Sequence, residues 1–297
     1  MELFRALAVF AEPPMKESAR VAAALDLGAL PEASEYTETF AFQLYPYASV
    51  YLGAEGMLGG EARDLIAGFW RALAETPPAE PDHISVMLAL YAQLCEHETS
   101  ERVEARRESW RRARRAFLWE HLLSWLPAYL SKLTEIASPF YRRWGEMLLD
   151  ALCEEARATA GAGGEPPQLS LHLRGAVGLV DPREGETRDF LQSLLAPARS
   201  GMILVRSDLS RAARTLELGL RVGERKYVLE SLLAQDARGV LGWLAREACA
   251  WGERHRALRD TLGDAARAWE VKAEASAQLL EELKTATDAE FETASGG

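Results

Sequence analysis

The stretch Glu61-Ala62-Arg63-Asp64-Leu65-Ile66-Ala67-Gly68-Phe69-Trp70-Arg71-Ala72-Leu73 sets Ala62, Leu65, Ile66, Phe69, Trp70 and Leu73 three and four residues apart. At 3.6 residues per turn those positions form one apolar stripe, whereas on a strand they would scatter over both faces. The same period recurs outward along the chain. Pro77-Pro78 is expected to close this first helix, because proline offers no N–H and disfavours a helical residue before it. Asp82 then suits the N-cap of a helix over 84–97, its carboxylate accepting orphan backbone N–H groups. A third helical stretch starts near Ser100 and runs to Pro127, which should bend or break it. Segments 129–137 and 140–154 continue the pattern, with Ser138-Pro139 between them. Runs that alternate apolar and polar residues are almost absent. The expected fold is all-α, beginning with a compact bundle of about six helices.

Composition narrows the class without naming a function. The chain has 297 residues, 48% of them hydrophobic and 27% charged, which is globular and not low-complexity. A net charge of -11 argues against holding nucleic acid through the overall field. Cys95, Cys153 and Cys249 lie far apart, so no disulfide framework is expected and a reducing compartment suits the chain. The apolar patch Leu7–Phe10 is too short for a secretory core. The longest apolar-rich run, 84–94, has the length of a buried helix, so no membrane span is expected and the cytoplasm is the expected location. The Gly/Pro stretch 159–168 reads as a connector between a helical domain over 1–158 and an accessory helical domain over 169–297. Charge divides nearby: residues 1–160 carry 16 Lys/Arg against 24 Asp/Glu, and residues 161–297 carry 18 against 21. Helices are expected over 187–195, 208–218, 224–234, 237–255 and 260–284, and the small acidic tail after them should fray.

Most chemistry-bearing patterns are missing or have an ordinary explanation. The five histidines and three cysteines never take CxxC, HExxH or HxxxH spacing, so neither a metal nor a cofactor of the protein's own is expected. Gly53, Gly56, Gly59 and Gly60 read as turn glycines, since no strand precedes them and no Lys-Ser/Thr follows. There is no GxSxG, and no cysteine sits in a nucleophile context. Seven arginines fall between Arg102 and Arg115, but Glu101, Glu104 and Glu108 interleave with them, Glu108 four before Arg112. That is the pattern of a solvated, self-paired helix face.

Two constellations stand above this background. Glu80-Pro81-Asp82-His83 opens the apolar helix ISVMLALYAQL. Phe117-Leu118-Trp119-Glu120-His121-Leu122-Leu123-Ser124-Trp125-Leu126-Pro127 sets His121 and Trp125 at i and i+4, hence on one helix face. Together with Leu44-Tyr45-Pro46, Val50-Tyr51-Leu52 and Phe140-Tyr141, in that order over about residues 36–153, they resemble the TorD/DmsD/NarJ family of redox-enzyme maturation chaperones. The Glu-Pro to Asp-His spacing is one residue tighter than the family's EPxDH, so Asp82 and His83 are the firmer carry-overs.

The resemblance implies a non-catalytic, TorD-like helical chaperone. Such a protein holds the twin-arginine leader and apo-form of a molybdopterin oxidoreductase subunit in the cytoplasm until its cofactor is inserted. A leader is an arginine pair followed by an apolar helix-prone segment, so its receptor needs an aromatic groove with acidic groups at one end. Trp70, Trp119, Trp125, Tyr45 and Tyr51 are the groove candidates. Asp82 would be the charge nearest the arginines, with His83 and His121 orienting it or bonding leader carbonyls, and Asp82, His83, His121 and Trp125 are expected to converge. A homodimer is compatible with the family. The rival is a DNA-binding regulator that uses a helix-turn-helix-like segment over 207–234, where Arg199 to Lys226 carry seven basic and three acidic residues. The acidity of the whole chain weighs against it, and no nucleic-acid partner is expected.

Overall fold

The computed structural model describes residues 2–160 and 168–295. Among the described residues there is no β-strand; the closest approach to one is a lone antiparallel bridge between Tyr47 and His83. The fold is all-α. The chain divides into two compact units, residues up to 53 with 57–174, and residues 54–56 with those from 175 onward. Of the expected connector 159–168, Thr159 and Ala160 end a helix, and residues 161–167 lie outside the described residues. Residues 168–174 belong to the first unit, where Ser170 N–H donates to Ser124 Oγ at 2.9 Å.

The principal helices of the first unit are α1 (Glu2–Ala8), α2 (Ala48–Leu52), α3 (Gly60–Ala72), α4 (Ile84–Ser100), α5 (Glu104–Ala116), α6 (Leu126–Ile136) and α7 (Pro139–Ala160). α4 is apolar on most of its circumference, as a helix surrounded by others must be, and it buries Ile84, Met87, Leu88, Leu90, Tyr91, Ala92, Leu94 and Cys95. α1 lies against it, with Phe4 edge-on to Tyr91 at 5.0 Å. Phe40, Tyr141 and Trp144 pack edge to face, and Trp144 Nε1 donates to Leu7 O at 2.9 Å.

Several boundaries differ from the sequence expectation, each for a local reason. α3 stops at Ala72, well before Pro77-Pro78, because Ala74 takes a left-handed φ of 61°. The N-cap of α4 is His83, since the Asp82 carboxylate is turned to another helix. The stretch expected to run from Ser100 to Pro127 as one helix is divided. α5 ends at Ala116 and a wide π-type turn spans Phe117–Leu122, in which Leu123 N–H reaches back to Leu118 O at 2.7 Å. Pro127 then sits in the first turn of α6, where its missing N–H costs nothing, so it begins a helix and does not end one. The arginine run is paired as expected in kind but not in register. Arg111 bonds Glu108 at i,i+3 and also Glu98, Arg107 pairs with Glu104, and Arg114 bridges Glu98 and Glu155.

In the second unit the principal helices are α8 (Thr187–Leu195), α9 (Arg206–Thr215), α10 (Arg225–Gln235), α11 (Ala237–Ala257) and α12 (Asp264–Ser295). α11 and α12 pack along each other, with His255 stacked on Trp251 and tilted against Trp269. Glu270, 3% exposed, is held by Arg256 and Arg259. α12 continues past the expected end at 284 to Ser295; of the tail expected to fray, residues 296–297 lie outside the described residues. The DNA-binding alternative finds no support here. Residues 216–224 separate α9 from α10, far more than a three- or four-residue helix-turn-helix turn. Arg211 is tied to Asp208 and Glu247, and Arg225 donates to Leu204 O. No helix among the described residues is long and apolar enough to cross a membrane.

One glycine in this unit has no substitute. Gly201 has φ 72°, its carbonyl lies 2.9 Å from His255 Nε2, and a Cβ there would fall 2.2 Å from the backbone N of Ala273 in α12. Gly201→Ala is therefore expected to destabilise the second unit by about 2–4 kcal/mol, from left-handed strain plus a backbone clash. Urea unfolding followed by circular dichroism measures it, and an unchanged midpoint would show that the α12 contact is not tight.

Candidate functional site

The segment 44–52 is the point where the sequence constellations meet. α2 is only five residues long and cannot hold itself together, so its ends are supplied from elsewhere. At its N-terminus, Ala48 N–H donates to Asp82 O at 3.0 Å and Ser49 N–H to Asp82 Oδ2 at 3.2 Å. The return contact, Ile84 N–H to Pro46 O at 2.9 Å, completes the Tyr47–His83 bridge. Asp82 thus caps α2 and not α4. Within the segment, Tyr51 stacks on Trp125 at 5.2 Å and 11° between planes, and Tyr129 meets both rings edge-on. The Tyr51 hydroxyl donates to Tyr45 O at 2.8 Å and the Tyr129 hydroxyl to Leu44 O at 3.2 Å.

At the start of α4, His83 Nδ1 accepts from Ser85 N–H at 3.3 Å. Ser85 Oγ lies 2.7 Å from the same nitrogen and donates to Glu12 Oε1 at 2.5 Å. Glu12 Oε1 is 3.5 Å from His83 Nδ1. The Tyr47 ring stands edge-on to the imidazole at 4.9 Å. Burial lowers the His83 pKa against the pull of Glu12, Glu80 and Asp82, so the ring is neutral near pH 7. Burial also raises the phenols of Tyr36 and Tyr47, helped by Glu12 and Glu80 at Tyr36 and by Glu80 at Tyr47, each to about 12. The corner is acidic and aromatic, with its only imidazole uncharged.

The other two residues of the expected site lie in the core. His121 is 6% exposed and packs against Phe69 and Phe117. Trp125 is fully buried, and its Nε1 donates to His121 O at 2.8 Å. The wide turn and the non-helical Trp125 backbone place the two side chains apart, one on Phe69 and the other on Tyr51, instead of stacked along one face. Among the described residues no hydrogen bond or ring contact joins Asp82 or His83 to His121 or Trp125; α2 stands between the pairs, tied to Asp82 by Ser49 and to Trp125 by Tyr51. Of the groove candidates, Trp119, Trp125 and Tyr51 are buried, while Trp70 and Tyr45 are half-buried. Trp119 Nε1 donates to Thr159 Oγ1.

Glu12, Tyr36, Tyr47 and Ser85 belong to the corner although nothing in the sequence marked them. Glu12 and Ser85 are 73 positions apart, and only the packing of the N-terminal segment on α4 unites them. No set of three His, Cys, Asp or Glu side chains among the described residues is placed to hold a metal ion.

Comparison with known proteins bears on this half of the chain. A family model described as nitrate reductase delta subunit matches residues 10–131. The chaperone protein TorD of Shewanella amazonensis is 31% identical over 130 residues, covering 35% of this chain and 51% of that protein. The chain therefore spans about half the length of the curated relative it matches.

Burial of His121 has a consequence for stability. Burial lowers its pKa from 6.5 to about 4. The unfolded chain takes up the proton first, so stability is full above about pH 6.5 and is lost as pH falls toward 4, by about 3 kcal/mol in all. His121→Leu should make this acid limb shallower in the first unit, leaving the share of His83 there and of His255 in the second, both shifted in the same direction. Denaturant unfolding between pH 7 and 4 tests it, and an unchanged pH slope in the variant would refute the assignment.

Proposed function

On the premise that residues 10–131 are a module of the TorD/NarJ family of redox-enzyme maturation chaperones, we propose that the protein binds the twin-arginine leader of a molybdopterin oxidoreductase subunit. It acts in the cytoplasm, holds the apoprotein through cofactor insertion and assembly, and catalyses no reaction itself. The observation that carries this proposal is the family match, which spans both Asp82-His83 and the segment from Phe117 to Pro127. The corner at the start of α4 supports it chemically. An arginine pair seeks carboxylates and ring faces, and Glu12, Glu80, Tyr36 and Tyr47 are gathered there around a neutral imidazole. The acidic balance of residues 1–160 favours approach of a cationic peptide.

Titration calorimetry of the full chain with a synthetic twin-arginine leader peptide tests the proposal. Saturable binding at about 10 μM or tighter is expected, weakened at least about tenfold when both arginines are replaced by glutamine. No heat at saturating peptide, or equal affinity for the glutamine peptide, would remove it.

A further inference from the structure

Asp82 is the acidic residue that the sequence singles out, yet the structure leaves it little to offer a ligand. It is 2% exposed, and one of its carboxylate oxygens accepts the Ser49 N–H while its backbone carbonyl accepts that of Ala48. Its burial leaves a guanidinium little of the side chain to reach. Two other carboxylates stand at the same corner on the solvent side. The Glu12 side chain is 47% exposed and yet fixed in place, its Oε1 accepting from Ser85 Oγ. Glu80 is exposed and lies close enough to the Tyr47 phenol and to His83 to act on both electrostatically.

These two differ from the acidic residues that the protein's arginines hold. Glu98, Glu155, Glu247 and Glu270 are each bound by one or more arginines, whereas among the described residues no arginine or lysine pairs with Glu12 or Glu80. The cation nearest in kind is His83, and its burial keeps it neutral, so the negative charge is not cancelled from within. Tyr36 and Tyr47 keep their phenolic protons beside the carboxylates and offer neutral ring faces, which planar guanidinium groups favour.

Resting on the leader-binding function, we infer that Glu12 and Glu80, and not Asp82, meet the arginines of the leader, and that Asp82 is a positioning residue that holds α2 against the start of α4. Two exposed carboxylates, borne on separate segments, match two consecutive arginines, whose side chains diverge along an extended peptide. The Ser85 hydroxyl pre-orients Glu12, which lowers the ordering cost of that contact.

The test uses the full chain and the same twin-arginine peptide. Glu12→Gln and Glu80→Gln should each weaken affinity about threefold, and the double variant about tenfold, with a shallower dependence on salt. Against a peptide with both arginines changed to glutamine, the double variant should bind as the unsubstituted chain does, so the loss belongs to the charge contact and not to altered packing. Asp82→Asn, which keeps an oxygen for Ser49, should hold affinity within about twofold. Unchanged affinity of the double variant for the arginine peptide overturns the inference, as does a loss in folded Asp82→Asn equal to that of the double variant. If Asp82→Asn fails to fold, the two glutamate variants decide alone. Failure of the unsubstituted chain to bind the peptide would instead remove the leader-binding function, and this inference with it.

Discussion

The hydrogen bond from Ser49 N–H to the buried Asp82 carboxylate is the constraint around which the first unit is arranged. A five-residue helix has no cooperative stability of its own. Asp82 holds its N-terminus, and the stack of Tyr51 on Trp125 fixes its body. Through those two contacts the short segment joins the start of α4 to the turn before α6. A carboxylate buried this deeply is tolerated because it accepts a backbone N–H instead of standing bare.

That arrangement divides labour among the acidic side chains. Asp82 faces inward and shapes the corner, while Glu12 and Glu80 face outward. His83 stands between them, neutral through burial. A cationic peptide therefore meets a surface whose charge is pre-placed and whose imidazole does not oppose it. Around the arginine-rich helix α5 the carboxylates are already engaged, Glu98, Glu104, Glu108 and Glu155 being held by Arg107, Arg111 and Arg114.

Helix after helix was legible from the apolar period, because each buries one stripe, and α4 was legible as a core helix from its apolar run. What local pattern does not carry is the choice among partners at a distance. Asp82 at the head of an apolar helix looks like its cap, and only the fold shows that the carboxylate is turned to Ser49. His121 and Trp125 share a face only if the helix between them is regular, and the wide turn at Phe117–Leu122 breaks that assumption without a glycine or proline to announce it. Pro127 marked a boundary correctly in place but with the opposite sense, since proline suits the first turn of a helix as well as it stops one. Glu12 was invisible for the plainest reason, 73 positions of chain between it and Ser85.

The most direct measurement is hydrogen–deuterium exchange of the full chain with and without saturating twin-arginine leader peptide. Slowed exchange is predicted around residues 10–13, 45–52 and 80–86, the three segments that build the corner. A saturated complex whose protection falls only on residues 175–295, with those three segments unchanged, would contradict the account.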